Sequence, residues 1–348
     1  MIPTIKDVAQ KAKVSTATVS LVIHNNKRIS ERTKKKVLRV IRDLNYRPSK
    51  MARGLVMRQT QNIGFILTDD HFLKTEPFYT YIFLGTEFEA RGHKYYILLN
   101  TIPTVFEQDD CLPRFVKENN VDGIIIAGKV PPELISCIEP YHIPLVFVDY
   151  YPPTGDHYAI LIDNIEGGRK ATDYLISLGH RRIAFVGGDL DHPSIYDRLQ
   201  GYQSALKKAN IPLDHTIIIT TEKATSRESG AHAVRQLFQQ QKQITAIFAC
   251  NDAMALGALQ YLTSTGLRVP QDVSIIGFDD VETGKHENIP LTTLRVPMID
   301  MGGQATKMIV DILENKANKP HKVLIPAELI VRESTMRPRI SSSKKMKE

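Results

Sequence analysis

Apolar positions change their period along the chain, and the change divides it. From Ile5 to Leu44 they fall at helical spacing, whereas from residue 62 onward short β-rich runs alternate with amphipathic stretches. Thr4 stands three residues before Asp7, the form of a capping box, and Ile5, Val8, Ala9 and Ala12 follow at i, i+3, i+4 and i+7. This predicts a short helix that breaks at Lys13-Val14. Ser15 then caps a second helix running to about Asn25. Its inward residues are Ala17 at the closest approach, Val19 or Val22, and Ile23, while Thr16, Ala17, Ser20 and Leu21 lie toward its exposed N-terminal side. Ser30-Glu31-Arg32-Thr33 opens a third helix with the stripe Val37, Ile41 and Leu44, and Lys34, Lys35, Lys36, Arg39 and Arg42 on the outer face.

In the remainder, strands are expected at 62–67, 95–99, 123–127, 145–148, 159–162, 182–186, 216–220, 246–249 and 273–277. Helical stretches lie between them, for example 165–177, 195–208 and 254–265. Such alternation predicts an α/β fold of parallel sheets wrapped by helices, and there is too much of it for one small sheet. Two doubly wound subdomains are the natural solution. Open sheets of this kind bind ligands outside the carboxyl ends of their strands, so two facing sheets place a ligand in the cleft between them.

Charge sharpens the division. The 348-residue chain carries a formal +7, but residues 1–60 hold 15 Lys/Arg against 3 Asp/Glu, a balance of +12, and the rest carries −5. A basic all-α head on a mildly acidic body fits a polyanion-binding module joined to an ordinary domain. Two short helices with a tight turn and a third supporting helix make a helix-turn-helix. Its second helix enters the DNA major groove, and short side chains near the helix start reach base edges. Helix N-termini and Ser/Thr hydroxyls hold phosphates on either side. Pro48 ends the third helix, and Ser49 can cap a segment at 50–57 in which Gly54 costs about 1 kcal/mol of helix stability relative to Ala. Two readings of that segment stand. It is a hinge helix that orders on DNA, with Leu55 and Met51 as minor-groove wedges, or it is a plain interdomain linker.

Three motifs carry a specific resemblance: Thr4-Ile5-Lys6-Asp7-Val8-Ala9, Val14-Ser15-Thr16-Ala17-Thr18-Val19-Ser20, and Leu44-Asn45-Tyr46-Arg47-Pro48-Ser49-Lys50-Met51-Ala52-Arg53. They resemble the LacI/GalR family of repressors, and the similarity runs through nearly the whole chain. The resemblance implies that Thr16, Ala17 and Leu21 face bases and that Thr4, Ser15, Thr18 and Asn25 hold phosphates. Ala52 belongs to the same hinge stretch as Leu55, which would be the leucine that opens the central base step. Leu21 departs from the Arg or His of many members, which puts the operator sequence in question.

In the body the family's motifs resemble Ile162-Asp163-Asn164 with Gly167-Gly168, Leu178-Gly179-His180-Arg181, Arg198-Leu199-Gln200-Gly201-Tyr202, Cys250-Asn251-Asp252, and Ile276-Gly277-Phe278-Asp279-Asp280. By that likeness Arg198, Asn251 and Asp279 bind polar groups of an effector, and Tyr79 and Phe248 supply apolar faces. Tyr150, Asp163, His192 and Ser194 join the wall. For Asp163 and Asn251, capping of the following helix is an equal alternative.

The resulting layout is a helix-turn-helix at 1–48, a hinge and linker at 49–60, an effector-binding and dimerisation domain at 61–340, and a disordered tail at 341–348. The subdomains would be 61–161 plus 292–320, and 162–291 plus 321–340, together resembling a periplasmic-binding-protein body. The expected partners are an operator in double-stranded DNA, a second copy of the chain, and a small effector. A sugar is favoured, a purine stacked between Tyr79 and Phe248 comes second, and the 281–290 stretch does not resemble the docking motif of a phosphoprotein corepressor. Neither a cofactor nor a metal is expected. Cys111, Cys137 and Cys250 are odd in number and far apart, unlike a disulfide frame or zinc site. No apolar run reaches the roughly 18–20 residues of a membrane span, and residues 1–7 lack the form of a signal peptide, so a cytoplasmic location is expected. Acyl-transfer, phosphoryl-transfer and dinucleotide motifs do not occur, which argues against an enzyme. An exported sugar-binding protein and an α/β enzyme with a DNA-binding extension remain the readings from other classes.

Overall fold

The computed structural model describes residues 3–23, 29–46, 59–70, 77–104, 112–239, 243–317 and 319–339. The chain divides after Thr60 into two units. The first holds three helices, α1 (Ile5–Ala12), α2 (Thr16–Ile23) and α3 (Glu31–Asp43). Thr4 and Asp7 make the capping box in both directions, and Lys13, at φ 52°, ends α1 in a left-handed turn that leads straight into α2. Ser30 caps α3 through the Thr33 amide. Val8, Ala12, Val19 and Val37 are fully buried where the helices meet, joined by Val22, Val40 and Tyr46. Two expectations need correction. Ala17 is exposed, because Val19 and Val22 point inward and a residue two positions before Val19 lies about 200° round the helix from it. Val40, absent from the expected stripe, completes the i, i+3, i+4, i+7 set with Val37, Ile41 and Leu44.

The second unit is built on two parallel sheets. The larger contains β1 (Asn62–Thr68), β2 (Tyr96–Ile102), β3 (Gly123–Ala127), β4 (Leu145–Val148), β5 (Tyr158–Ile162) and β11 (Lys322–Ile325), ordered β11-β5-β4-β3-β1-β2. The smaller contains β6 (Ile183–Val186), β7 (Ile218–Ile219), β8 (Ala246–Ala249) and β9 (Ser274–Ile276), ordered β7-β6-β8-β9. Two short strands, β10 (Thr293–Arg295) and β12 (Glu328–Ile330), pair antiparallel. The central strands are apolar on both faces, as sheets covered by helices on both sides require: every residue of β3, β6 and β8 is buried. The sequence assigned 321–340 to the second subdomain, yet Lys322–Ile325 pairs in parallel register with β5 of the first sheet, Lys322 opposite Ala159. Four residues whose burial reads exposed, intermediate, exposed, buried give too short a pattern to announce an edge strand.

Helix spacing is set by glycines where helices cross. In the larger-sheet half, α4 (Phe78–Gly92) meets α12 (Met298–Leu313) through Gly85 and Gly302, where an added Cβ would overlap the Ile299 and Ile82 carbonyls. In the other half, α7 (Asn164–Ser177) crosses α8 (Pro193–Lys208) through Gly168 and Gly201. A Cβ on Gly168 would overlap the Arg198 carbonyl, so the close approach that glycine permits also brings the first turn of α7 beside Arg198.

Candidate ligand pocket and nucleic-acid interface

The carboxyl ends of the strands converge on an inner cavity of about 110 Å³. Its polar lining includes Tyr79 from α4, Asp149 after β4, Ser194 and Arg198 from α8, Asn251 after β8, and Asp279 after β9. Asp149 and Asp279 sit at φ 60° and 118°, and Asp280 follows at 63°. Left-handed backbone at a non-glycine residue costs on the order of 1–3 kcal/mol, and such strain gathers at binding sites. Here it turns two carboxylates into the cavity.

Asp149 joins the two halves of the body. One of its oxygens accepts from Tyr79 Oη at 2.9 Å and the other from Ser194 Oγ at 3.0 Å. Arg198 is 5 % exposed and largely committed. Its Nε donates to Asn164 Oδ1 at 2.8 Å and its Nη1 to the Cys250 carbonyl at 2.5 Å, while its Cζ lies 3.7 Å from the centre of the Phe278 ring. Nη2 approaches Asp279 Oδ1 to 3.7 Å, too long for a hydrogen bond, and Oδ1 is buried with no hydrogen-bond partner among the described residues. Burial pushes the Asp279 carboxyl well above the ordinary range, against the pull of Arg198. Burial also lowers the His192 pKa, so the ring is neutral at pH 7; its Nδ1 accepts from the Ser194 amide at 3.3 Å, which leaves Nε2 as a donor. Burial pushes the Cys250 thiol up to about 11, so it is not a thiolate. The pocket thus offers both donors and acceptors of hydrogen bonds, and it suits a ligand that carries hydroxyl or N–H groups.

The expected effector residues separate into two groups. Tyr79, His192, Ser194, Arg198, Asn251 and Asp279 line the cavity together. Asn251 also caps α10 (Asp252–Ser264) through the Met254 amide, so both readings of it hold. Asp163 does not line the cavity; it caps α7 through the Glu166 amide at 3.1 Å. Phe248 is fully buried in β8, edge-on to Phe185 with ring centres 5.4 Å apart, and presents no face to the ligand. Tyr150 is buried in the larger-sheet half, with its ring centre 6.5 Å from that of His192. At the Asp149-Tyr150 pair it is the aspartate that enters the cavity, as side chains alternate at the end of a strand. Phe78 and Thr225 line the cavity without having been anticipated, and Asn164 orients Arg198. Beyond the inner cavity, Thr68 at the end of β1 faces an outer chamber of about 1270 Å³.

Beneath the pocket wall, Asp252 accepts from Thr293 Oγ1 at 2.6 Å and from the Val281 amide at 2.9 Å, anchoring the turn that carries Asp279. Burial pushes its carboxyl up to about 7 from 3.8. The folded chain holds this proton more tightly than the unfolded chain does. The stabilisation is therefore complete below about 3.8 and is lost as pH rises toward 7. Urea unfolding between pH 4.5 and 7.5 should show Asp252→Asn with a flatter stability curve than the parent. The difference in slope should approach about 1.4 kcal/mol per pH unit. Parallel curves would show that Asp252 titrates normally.

In the head, Thr16 and Ala17 are exposed at the start of α2 and Leu21 is 38 % exposed one turn later, on a helix without a charged residue. Thr4 Oγ1 is bonded to Asp7, and the Ser15 and Thr18 hydroxyls meet at 2.9 Å, so all three are fixed at helix starts. Lys35, Lys36, Arg39 and Arg42 are exposed along α3. Asn25, Ala52 and Leu55 lie outside the described residues. Among the described residues, no helix is long and apolar enough to cross a membrane, and no group of three or more His, Cys, Asp or Glu could hold a metal ion.

Comparison with known proteins agrees with both parts. The family described as "Bacterial regulatory proteins, lacI family" matches residues 4–49, and a "Periplasmic binding protein-like domain" matches 172–335. The HTH-type transcriptional repressor PurR of Escherichia coli O139:H28 is 34 % identical over 334 residues, covering 95 % of this chain and 96 % of the relative. Among solved structures, the complex of the transcriptional regulator CelR with cellobiose is similar at TM-score 0.73 and 31 % identity, covering 95 % of this chain and 99 % of the other. The Lac repressor dimer bound to operator and the anti-inducer ONPF is similar at TM-score 0.80 and 26 % identity, covering 97 % and 100 %.

Proposed function

This chain belongs to the lacI family of bacterial regulatory proteins, and from that premise we propose that it is a dimeric repressor whose operator binding is set by a sugar held in the cleft. The domain boundaries read from the sequence belong to this proposal: reading head at 1–48, hinge at 49–60, and effector and dimerisation domain at 61–340. The observation that carries the sugar reading is the polar inner cavity, where Asp149, Asn251 and Asp279 line one space with a guanidinium that is already engaged by protein. A ligand hydroxyl supplies the hydrogen-bond partner that buried Asp279 Oδ1 lacks among the described residues. The relative solved with cellobiose supports the same class.

A nucleobase is the second reading, favoured by the identity to repressors named PurR and by the adjacent rings of Phe78 and Tyr79. A flat base sandwiched between Tyr79 and Phe248 is not available to it, because Phe248 is sealed in the core.

The test is a thermal-shift and DNA-binding screen of the full chain with sugars and nucleobases, on an operator selected from random duplexes. A ligand at 100 times its dissociation constant adds about 2.7 kcal/mol of stability, enough for an unambiguous shift. The proposal expects a sugar to shift melting and change operator affinity. A response to nucleobases alone would replace the sugar reading with the second one.

A further inference from the structure

We propose that the effector is not a single ring but an uncharged glycoside of at least two units, its inner sugar in the small cavity and its outer unit in the chamber beyond; this rests on the sugar reading above. Volume is the first argument. The inner cavity of about 110 Å³ is the narrow end of the cleft, lined closely by Tyr79, Asp149, Ser194, Arg198 and Asp279. The outer chamber of about 1270 Å³ is more than ten times larger. The two are continuous, for His192, Ile195, Thr225 and Ala253 line both. A molecule that stopped at the inner cavity would leave most of the cleft as water.

The chamber's chemistry is the second argument. Thr68 is 2 % exposed, its hydroxyl has no hydrogen-bond partner among the described residues, and it lines this chamber. A buried hydroxyl without a partner is expensive, and a ligand hydroxyl would satisfy it. Pro77, Pro131 and Pro132 give the chamber rigid apolar surface of the kind a sugar's C–H face can lie on, in a chain that has no Trp. Charge is the third argument. Lys129, Lys223 and Arg227 face four carboxylates around the chamber, and Lys129 stands 3.8 Å from Asp189 across the cleft. With no cationic excess among the described residues to attract a phosphate or carboxylate, the outer unit is neutral.

The experiment is titration calorimetry on the full chain with glucose, galactose and fructose against cellobiose, maltose, lactose, sucrose and trehalose. At least one disaccharide should bind tenfold or more tightly than either of its own monosaccharides. Ala224→Trp tests the chamber directly, since Ala224 is exposed on its wall and a large side chain there fills space without entering the core. It should remove the disaccharide's advantage and leave monosaccharide affinity within twofold. Thr68→Val should weaken the disaccharide alone by several-fold. A monosaccharide that binds as tightly as every disaccharide containing it would overturn the two-unit inference and leave the sugar reading intact. So would equal losses for both sugar lengths in Ala224→Trp. If no saccharide binds, the sugar reading falls and this inference falls with it.

Discussion

A chain that begins at Gln61 should bind the cleft ligand as the full chain does and should lose operator DNA by at least a thousandfold. Among the described residues, Val8, Val19 and Val37 pack in a cluster of head residues, and the clusters of the body draw on residues from 63 onward. Removing the head takes away no residue of either body cluster. It also removes a balance of +12 and leaves a body that is net acidic, so even non-specific attraction to phosphates should vanish. The full chain should show log K falling linearly with log salt, by close to one unit of slope for each phosphate neutralised. Fluorescence anisotropy with operator and random duplexes, beside circular dichroism of the truncated chain, checks both statements. Operator affinity that survived in the truncated chain would place DNA recognition in the body and refute the reading of α2.

Much of this arrangement is visible in the sequence because it is written in local periods. The head's caps and stripes involve residues three or four apart, and they predicted α1, α2 and α3. The strands β3, β4 and β8 are uniformly apolar runs, and they fall on the predicted residues. What escaped is set by distant partners. The strands β10 and β12 have three residues each and exist only because they pair across an intervening helix and strand. Phe248 looks like a ligand platform by likeness alone, but every residue of its strand is buried between layers, so its ring meets Phe185 instead. Asp149 was passed over for Tyr150, since neither the left-handed backbone at Asp149 nor the hydroxyls of Tyr79 and Ser194 can be read from neighbours in the chain. Arg198 and Asp279 were legible as a pair by resemblance. The helix crossing that brings Asn164 against Arg198 was not, although Gly168 and Gly201 both lie within motifs that resemble the family's.

Arg198→Ala should abolish the effector response and also lower the stability of the body, and the two losses can be separated. Arg198 engages Asn164, the Cys250 carbonyl and the Phe278 ring while it is nearly sealed from solvent. Deleting it leaves those acceptors unpaired and removes a positive charge that acts to lower the proton affinity of Asp279. A hydrogen bond to a charged group contributes roughly 1.5–3 kcal/mol, so ligand affinity should fall by about ten- to a hundredfold. Stability should fall as well, by on the order of 1–3 kcal/mol for the groups left unsatisfied. Arg198→Lys should restore little, because an ammonium on a flexible stem cannot reach Asn164 and the Cys250 carbonyl at once or stack on Phe278. The double variant Arg198→Ala with Asp279→Asn separates the effects. It replaces the stranded carboxyl by a neutral amide, so part of the lost stability should return while ligand binding stays lost. Operator affinity without ligand should match that of the parent in every variant, since the head's core contains none of these residues. Recovery of ligand binding in the double variant would mean that Arg198 serves only to balance Asp279. A normal effector response in Arg198→Ala itself would mean that the ligand lies elsewhere.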